Sequence, residues 1–167
     1  MPKLAALEPG KYYHIYTRGH NKETLLKSSD TYDLFLQLYK KYIAPFADTF
    51  AYCLLPNQVH FLIRVKEEEV LMAQAVEENS GKRISVERQL AHLLNAYTKA
   101  INNRFKRTGK QFQHRFGRKE VTSEAYFTRL IYCIHFNPHH HGLIDDFRDW
   151  PYSSYHSLLS KSKTALQ

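Results

Sequence analysis

Polar and apolar residues alternate with a period of two in four stretches of the chain, which predicts four β-strands. These stretches are residues 11–17, 49–54, 58–63 and 119–122, the last being the shortest. The second and third are separated by a turn at Pro56-Asn57. Two strands joined by so short a turn favour an antiparallel hairpin at the centre of the chain.

Apolar residues spaced three and four apart predict three amphipathic helices. We expect Asp30 to cap the first, with Ala44-Pro45 ending it, and Gly109 to stop the second. Ser123 is expected to cap the third, which Asn137-Pro138 should end. The three buried stripes are Tyr32, Phe35, Leu36, Tyr39, Tyr42 and Ile43; Val86, Leu90, Leu93, Leu94, Tyr97, Ile101 and Phe105; and Phe127, Leu130, Ile131 and Ile134.

Strands and helices therefore interleave around a central hairpin, which predicts an α+β protein with helices packed on an antiparallel sheet. Residues 66–83 are charged and contain a turn signal at 79–81, so no element is predicted there. We expect one domain over residues 1–167, with its core at about 11–156 and a flexible tail at 157–167.

Composition adds a preference for a polyanionic partner. The 167 residues carry a formal net charge of +8 and a pI of about 9.4, which favours nucleic acid. Cys53 and Cys133 form no CxxC pair, so we expect both to be reduced thiols, as in a cytosolic protein. Cys53 is expected in the core. Residues 1–10 do not resemble a signal peptide and no apolar run reaches membrane length, so we expect a cytoplasmic, nucleoid-associated protein without a membrane partner.

A candidate site begins on the third predicted strand. Gln58 and His60 lie on one face with Leu62, because side chains alternate along a strand. The opposite face carries only apolar residues and should meet the core: Val59, Phe61 and Ile63. Two metal-capable side chains with one residue between them suggest a metal site.

The last predicted helix holds the other candidate residues. Cys133 and Asn137 are four apart and share a face, whereas Tyr132 is rotated by about 100° and should point elsewhere. If this helix packs on the face that displays Gln58 and His60, the polar side chains converge. An alternative interpretation of Cys133 is a small buried helix residue without chemistry. Metal binding by the run 139–141 is disfavoured because consecutive side chains in a turn diverge.

Basic residues interleaved with aromatic ones predict a nucleic-acid surface, because rings stack on bases while cations hold phosphates. A merely solvated surface is the alternative. The candidate residues are Arg18, Lys22, Arg104, Lys106, Arg107, Lys110, Arg115, Arg118 and Lys119.

At this point the chain resembles a known family. Residues 56–63 resemble the P-N-H-x-H-x-L-[IV] motif of the single-tyrosine HUH transposases, especially their REP-associated tyrosine transposase-like branch. Further motifs match in order over about residues 11–156. They are Tyr16-Thr17-Arg18-Gly19, Phe112-Gln113-His114-Arg115-Phe116, Ile134-His135-Phe136-Asn137-Pro138, His141-Gly142-Leu143 and Trp150-Pro151-Tyr152-Ser153-Ser154-Tyr155.

The resemblance implies a ferredoxin-like HUH fold and an enzyme that acts on single-stranded or hairpin DNA. In such enzymes Mg²⁺ or Mn²⁺ polarises the scissile phosphate, and a helix tyrosine attacks it to leave a 5′-phosphotyrosine and a free 3′-OH. By position, Gln58, His60 and Asn137 correspond to the metal ligands and Cys133 to the nucleophile. Homodimers and monomers both occur among such proteins, so a homodimer stays open.

Two positions depart from the family pattern. Gln58 stands where the first histidine is expected, and Cys133 where the tyrosine is expected. A glutamine carbonyl suits Mg²⁺ but replaces imidazole poorly towards Mn²⁺, and Tyr132 could substitute only if the helix rotated. The paired loss favours a domesticated DNA-binding protein, catalytically degenerate and needing no metal. The alternatives are an active enzyme with an altered site, or an unrelated phosphodiesterase or interaction domain.

Overall fold

The computed structural model describes residues 4–79, 81–82, 84–113 and 115–160. Its centre is a four-stranded antiparallel sheet in the order β2-β3-β1-β4. The strands are β1 (Tyr12–Arg18), β2 (Ala47–Leu55), β3 (Gln58–Val65) and β4 (Gly117–Val121). The helices are α1 (Ser29–Tyr42), α2 (Glu68–Glu77), α3 (Val86–Phe105), α4 (Glu124–His140) and α5 (Tyr155–Leu159), with 3₁₀ turns at His20–Lys22 and Phe147–Asp149.

This order confirms the predicted α+β class and the ferredoxin-like arrangement, in which two β-α-β units share one sheet. Helices α1 and α3 pack on one face of the sheet, where the predicted stripes meet the apolar side of β3. The Phe61 ring of β3 stacks on Tyr39 of α1, with the ring centroids 4.2 Å apart. This core fixes the orientation of β3, because its alternate side chains must then face the opposite way.

Helix α4 packs on that opposite face. Leu130 and Ile134 of α4 are buried against Leu62 of β3 and three residues of β2: Ala51, Cys53 and Leu55. Cys53 is therefore a core residue, as predicted. Helix α4 therefore covers the face of the sheet that displays Gln58 and His60, which is the packing that convergence of the polar side chains requires.

Four local predictions were wrong, and one of them is the end of α3, which stops at Phe105 with Lys106 as its left-handed C-cap instead of reaching Gly109. Helix α1 is capped by Ser28 instead of Asp30, and the Ser28 N–H donates to Thr31 Oγ1 at 3.0 Å. Helix α4 does not end at Asn137-Pro138 but runs on to His140, with the Pro138 ring buried inside it. Proline is tolerated there because the next turn still closes, with His141 N–H donating to Asn137 O at 2.9 Å. Helix α2 was missed.

The C-terminal segment lies along the free edge of β2. Ser153 bridges to Cys53, Trp150 Nε1–H donates to Leu54 O at 2.9 Å, and Tyr152 stacks on Tyr32 at 3.8 Å. Helix α5 overlaps the predicted tail 157–167, whose last seven residues lie outside the described ranges. Within those ranges no helix is both long and apolar enough to cross a membrane.

Candidate functional site

A chain of hydrogen bonds links four polar side chains across the sheet to the end of α4. His14 Nε2 lies 3.1 Å from His60 Nδ1, and His60 Nε2 lies 3.1 Å from Gln58 Oε1. Gln58 Nε2 lies 2.9 Å from His141 Nε2. We call these four residues the polar chain. It joins β1, β3 and the residue that follows α4, and only Gln58 and His60 among its members were predicted as site residues.

The direction of each hydrogen bond follows from Gln58. Its carbonyl oxygen can only accept, so Nε2 of His60 carries a hydrogen and donates. In a neutral imidazole the other nitrogen is then an acceptor, so His60 Nδ1 accepts from His14 Nε2–H. The Gln58 amide nitrogen in turn donates to His141 Nε2. All donors therefore point one way along the polar chain, from β1 towards α4.

Burial keeps the imidazoles of His14 and His60 neutral. It lowers the pKa of His14 to about 4, with the Lys119 ammonium lowering it further. It lowers the pKa of His60 to about 3, and His14 and His141 act in the same direction. Desolvation disfavours a charged imidazolium, so near neutral pH His14 and His60 carry no charge.

The donor set is a weak one for a divalent metal ion, because the neutral amide of Gln58 replaces an imidazole. Gln58 Oε1 and His60 Nε2, the two atoms that would ligate an ion, are hydrogen-bonded to each other. Ligation through Nε2 would require the other tautomer of His60, with the hydrogen on Nδ1. Among the described side chains, no group of three or more His, Cys, Asp and Glu is placed to hold a metal ion.

Cys133, Asn137 and His141 follow at intervals of four, so they form one stripe along α4. Since His141 contacts Gln58, the stripe borders the polar chain at its C-terminal end, and Cys133 lies about 12 Å further along the helix at 1.5 Å per residue. The interpretation of Cys133 as a buried residue is wrong, because it is exposed. No hydrogen bond joins Asn137 to Gln58 or His60 within the described part of the chain.

Tyr132 lies off this stripe. Its ring stacks on Phe136 at 5.3 Å and meets Phe147 edge-on at 6.5 Å. Those contacts hold it away from the polar chain, in keeping with the predicted rotation. A different tyrosine, Tyr16, lies beside His60 with the ring centroids 6.3 Å apart.

Tyr16 is 41% exposed, and it was not predicted as a site residue. Its ring also lies 5.0 Å from that of His14 and covers Gly117 on β4, where an added Cβ would be 2.4 Å from a ring carbon. The period of two along β1 puts His14 and Tyr16 on the same face. The predicted hairpin joins only β2 and β3, so the sequence did not predict which residues of β1 lie beside His60.

Three predicted basic residues line one cavity of about 260 Å³: Arg18, Lys22 and Lys110. His20, Asn21 and Gln113 complete its lining. The cavity lies at the same end of the sheet as the polar chain, because Arg18 is the cross-strand partner of Gln58. The predicted nucleic-acid residues at this end are thus brought together.

The other predicted basic residues are more dispersed. Arg104 pairs with Asp30 and Arg107 with Glu23, both at 2.9 Å. The Arg118 side chain is only 6% exposed and lies 3.8 Å from Glu87, so it is not at the surface. Lys119 lies on the face of β4 opposite to Arg118, with its Nζ 5.2 Å from the Tyr126 ring centroid. Lys106 and Arg115 are exposed, and His114 of the basic motif lies outside the described residues.

Comparisons with known proteins point to one group. No family model matches the chain. A Haemophilus influenzae protein that carries the name REP-associated tyrosine transposase is 28% identical over 109 residues, which are 65% of this chain and 59% of that relative. The solved structure of a REP-associated tyrosine transposase bound to a REP hairpin aligns over the whole chain and 90% of its own, with a TM-score of 0.74 and 15% identity.

The two comparisons agree with the motifs and with the ferredoxin-like sheet, although the alignment spans only about three fifths of the Haemophilus protein. The chain is thus similar in sequence to a REP-associated tyrosine transposase over 65% of its length, and its fold is that of the solved REP-associated tyrosine transposase.

Proposed function

We propose that the protein binds single-stranded or hairpin DNA and does not cut it. The observation that carries this proposal is Gln58 itself, a neutral amide at the position of the first imidazole, with its Oε1 hydrogen-bonded to His60 Nε2. The second support is Cys133 at the position of the tyrosine nucleophile. Mg²⁺ or Mn²⁺ is then not required for binding.

DNA binding is supported by charge and by shape. The net charge of +8 attracts a polyanion, and three cations converge on the cavity next to the polar chain. The REP-associated tyrosine transposase that has the same fold is bound to a REP hairpin in its solved structure. A homodimer and a nucleoid location remain predictions.

One observation favours a second candidate, a nicking and rejoining enzyme with an altered site. Cys133 is exposed and thus accessible to DNA. Its thiolate would attack the phosphorus, form an S–P bond and break a P–O bond, and the departing 3′ oxygen would take up a proton. The thiolate is the reactive form. Gln58 and His60 would then exchange their mutual hydrogen bond for metal ligation, with Asn137 as the third ligand.

The two functions separate in one experiment. A labelled hairpin and its single-stranded arm are mixed with the protein in EDTA, Mg²⁺ or Mn²⁺, and binding is followed by anisotropy. The same samples are then run on a denaturing gel. We expect metal-independent binding that weakens steeply with salt, and no denaturation-resistant band. A covalent band identified at Cys133 or Tyr132 by mass spectrometry would establish the enzyme, and absence of any binding would reject both.

A further inference from the structure

The cavity beside the polar chain has the chemistry of a phosphate site. Arg18, Lys22 and Lys110 contribute three positive charges, and Arg18 Nε–H donates a hydrogen bond to Gln113 Oε1, which holds the guanidinium in place. Across the described ranges, no carboxylate pairs with any of the three. Arg104 and Arg107, by contrast, are paired. The three cations of this cavity are therefore not neutralised by a carboxylate.

The wall of the cavity is a built structure. His20 N–H donates to Gln111 O, and Gln113 N–H donates to Arg18 O, both at 2.9 Å, so the turn after β1 is tied to the segment that precedes β4. Asn21 and Lys22 adopt left-handed backbone angles, with φ of 53° and 59°. Such angles are uncommon outside glycine and persist where the surroundings fix them.

Gly19 is required by the same turn. An added Cβ at this position would lie 2.2 Å from the Glu23 carbonyl oxygen. The turn can therefore close only around a glycine, which holds the cavity lining in place.

An exposed aromatic ring adjoins this cavity. Tyr16 lies two residues before Arg18 on the same face of β1, so their Cα atoms are about 7 Å apart at 3.3 Å per residue. Its ring is 41% exposed and is supported from beneath by Gly117. A ring beside a basic cavity matches the two parts of a nucleotide, an aromatic base and a phosphate.

We propose that Tyr16 and the cavity form a subsite for one unpaired nucleotide, with its base stacked on Tyr16 and its phosphate held by Arg18, Lys22 and Lys110. The inference rests on the proposed DNA binding and specifies where the single strand lies. A paired base has no free face for Tyr16, so the subsite selects unpaired over duplex DNA.

The test measures binding of a labelled oligothymidylate and of a duplex of equal length as a function of salt. Lys22→Ala with Lys110→Ala should lower single-strand affinity at least tenfold and make the slope of log K against log salt shallower by about 0.7 per lost phosphate contact. Lys40→Ala with Lys41→Ala, the same charge change on exposed α1, should leave the slope nearly unchanged. Circular dichroism checks that every variant is folded.

The aromatic half is tested separately. Tyr16→Leu should lower single-strand affinity roughly tenfold or more and leave duplex affinity unchanged, whereas Tyr16→Phe keeps the ring and the affinity. If the unaltered chain binds but the cavity pair behaves like the α1 pair, or Tyr16→Leu binds normally, the subsite is overturned and DNA binding stands. If the unaltered chain binds no DNA, the proposed function fails as well.

Discussion

Gln58 and His141 are separated by 83 positions in the sequence, yet their side-chain nitrogens lie 2.9 Å apart. The contact exists because α4 continues through Pro138 and delivers the following residue to the start of β3. Gln58 thus satisfies His60 on one side and His141 on the other. Gln58 therefore connects the two histidines of the sheet to the residue that follows α4.

The hydrogen bond from His60 makes Gln58 important for stability. Gln58→Leu should lower the free energy of unfolding by about 1 kcal/mol, because the half-buried Nε2–H of His60 loses its acceptor. His141→Ala removes only an exposed contact and should change it by less than about 0.5 kcal/mol. Urea unfolding measures both. Equal losses in the two variants would contradict the asymmetry.

Stability should fall on mild acidification. The pKa values of His14 and His135 are about 4 and that of His60 is about 3 in the folded chain, against 6.5 when exposed. Since the unfolded chain binds more protons below pH 6.5, stability is full above that pH and declines as the pH falls towards 4. We expect a loss on the order of 1 kcal/mol per histidine between pH 7 and 5.

Urea unfolding at the two pH values measures this loss. His60→Gln should remove part of the pH dependence, because glutamine does not titrate. His92→Gln, at an exposed position on α3, is the matched control and should keep it. A pH dependence that is unchanged in His60→Gln would contradict the assignment.

Restoring both departures from the family pattern should restore chemistry. In Gln58→His with Cys133→Tyr, two imidazoles and Asn137 become available to Mg²⁺ or Mn²⁺ and a phenol stands at the nucleophile position. We expect a covalent DNA adduct on a denaturing gel from this double variant. Neither single variant should form it, and Gln58→His with Cys133→Phe, which lacks the hydroxyl, is the control. If the double variant forms no adduct with any hairpin or metal tested, the loss of activity is not explained by these two positions alone.

Gly117 should be sensitive to substitution through Tyr16. In Gly117→Ala the new Cβ would lie 2.4 Å from the Tyr16 ring, so the ring must move, with a loss of about 1–3 kcal/mol in stability. Single-strand affinity should fall as in Tyr16→Leu. Gly81→Ala, where no atom lies within 4 Å of the added Cβ, serves as the control. Unchanged affinity in a folded Gly117→Ala variant would contradict the stacking role of Tyr16.

Long periodic stripes made much of the fold predictable. The existence of helix α3 and its buried stripe were predicted because its apolar residues keep one face over five turns. Helix α2 has no such stripe: Leu71 and Ala75 are buried while Val70, Met72 and Val76 are exposed. Only Leu71 and Ala75 of α2 join the core cluster, and two residues are too few to produce a recognisable helical pattern in the sequence.

The site was predictable only in part, because strand register decides which faces align. His14 and Tyr16 share a face by period two, but their positions opposite Leu62 and His60 follow from the β1–β3 register. Arg118 and Lys119 are neighbours and must point to opposite sides of β4. Both were predicted to lie on the nucleic-acid surface because they are basic, whereas the strand register buries the Arg118 side chain against Glu87.

The polar chain also has a consequence for the order of folding. The β2–β3 hairpin needs only local pairing, whereas the Gln58–His141 contact needs α4 to be formed and docked across a long loop. Long-range closure is slow because chain entropy is lost before contacts compensate for it. A spectroscopic label at position 141 would therefore report the completion of folding, later than a label placed within the hairpin.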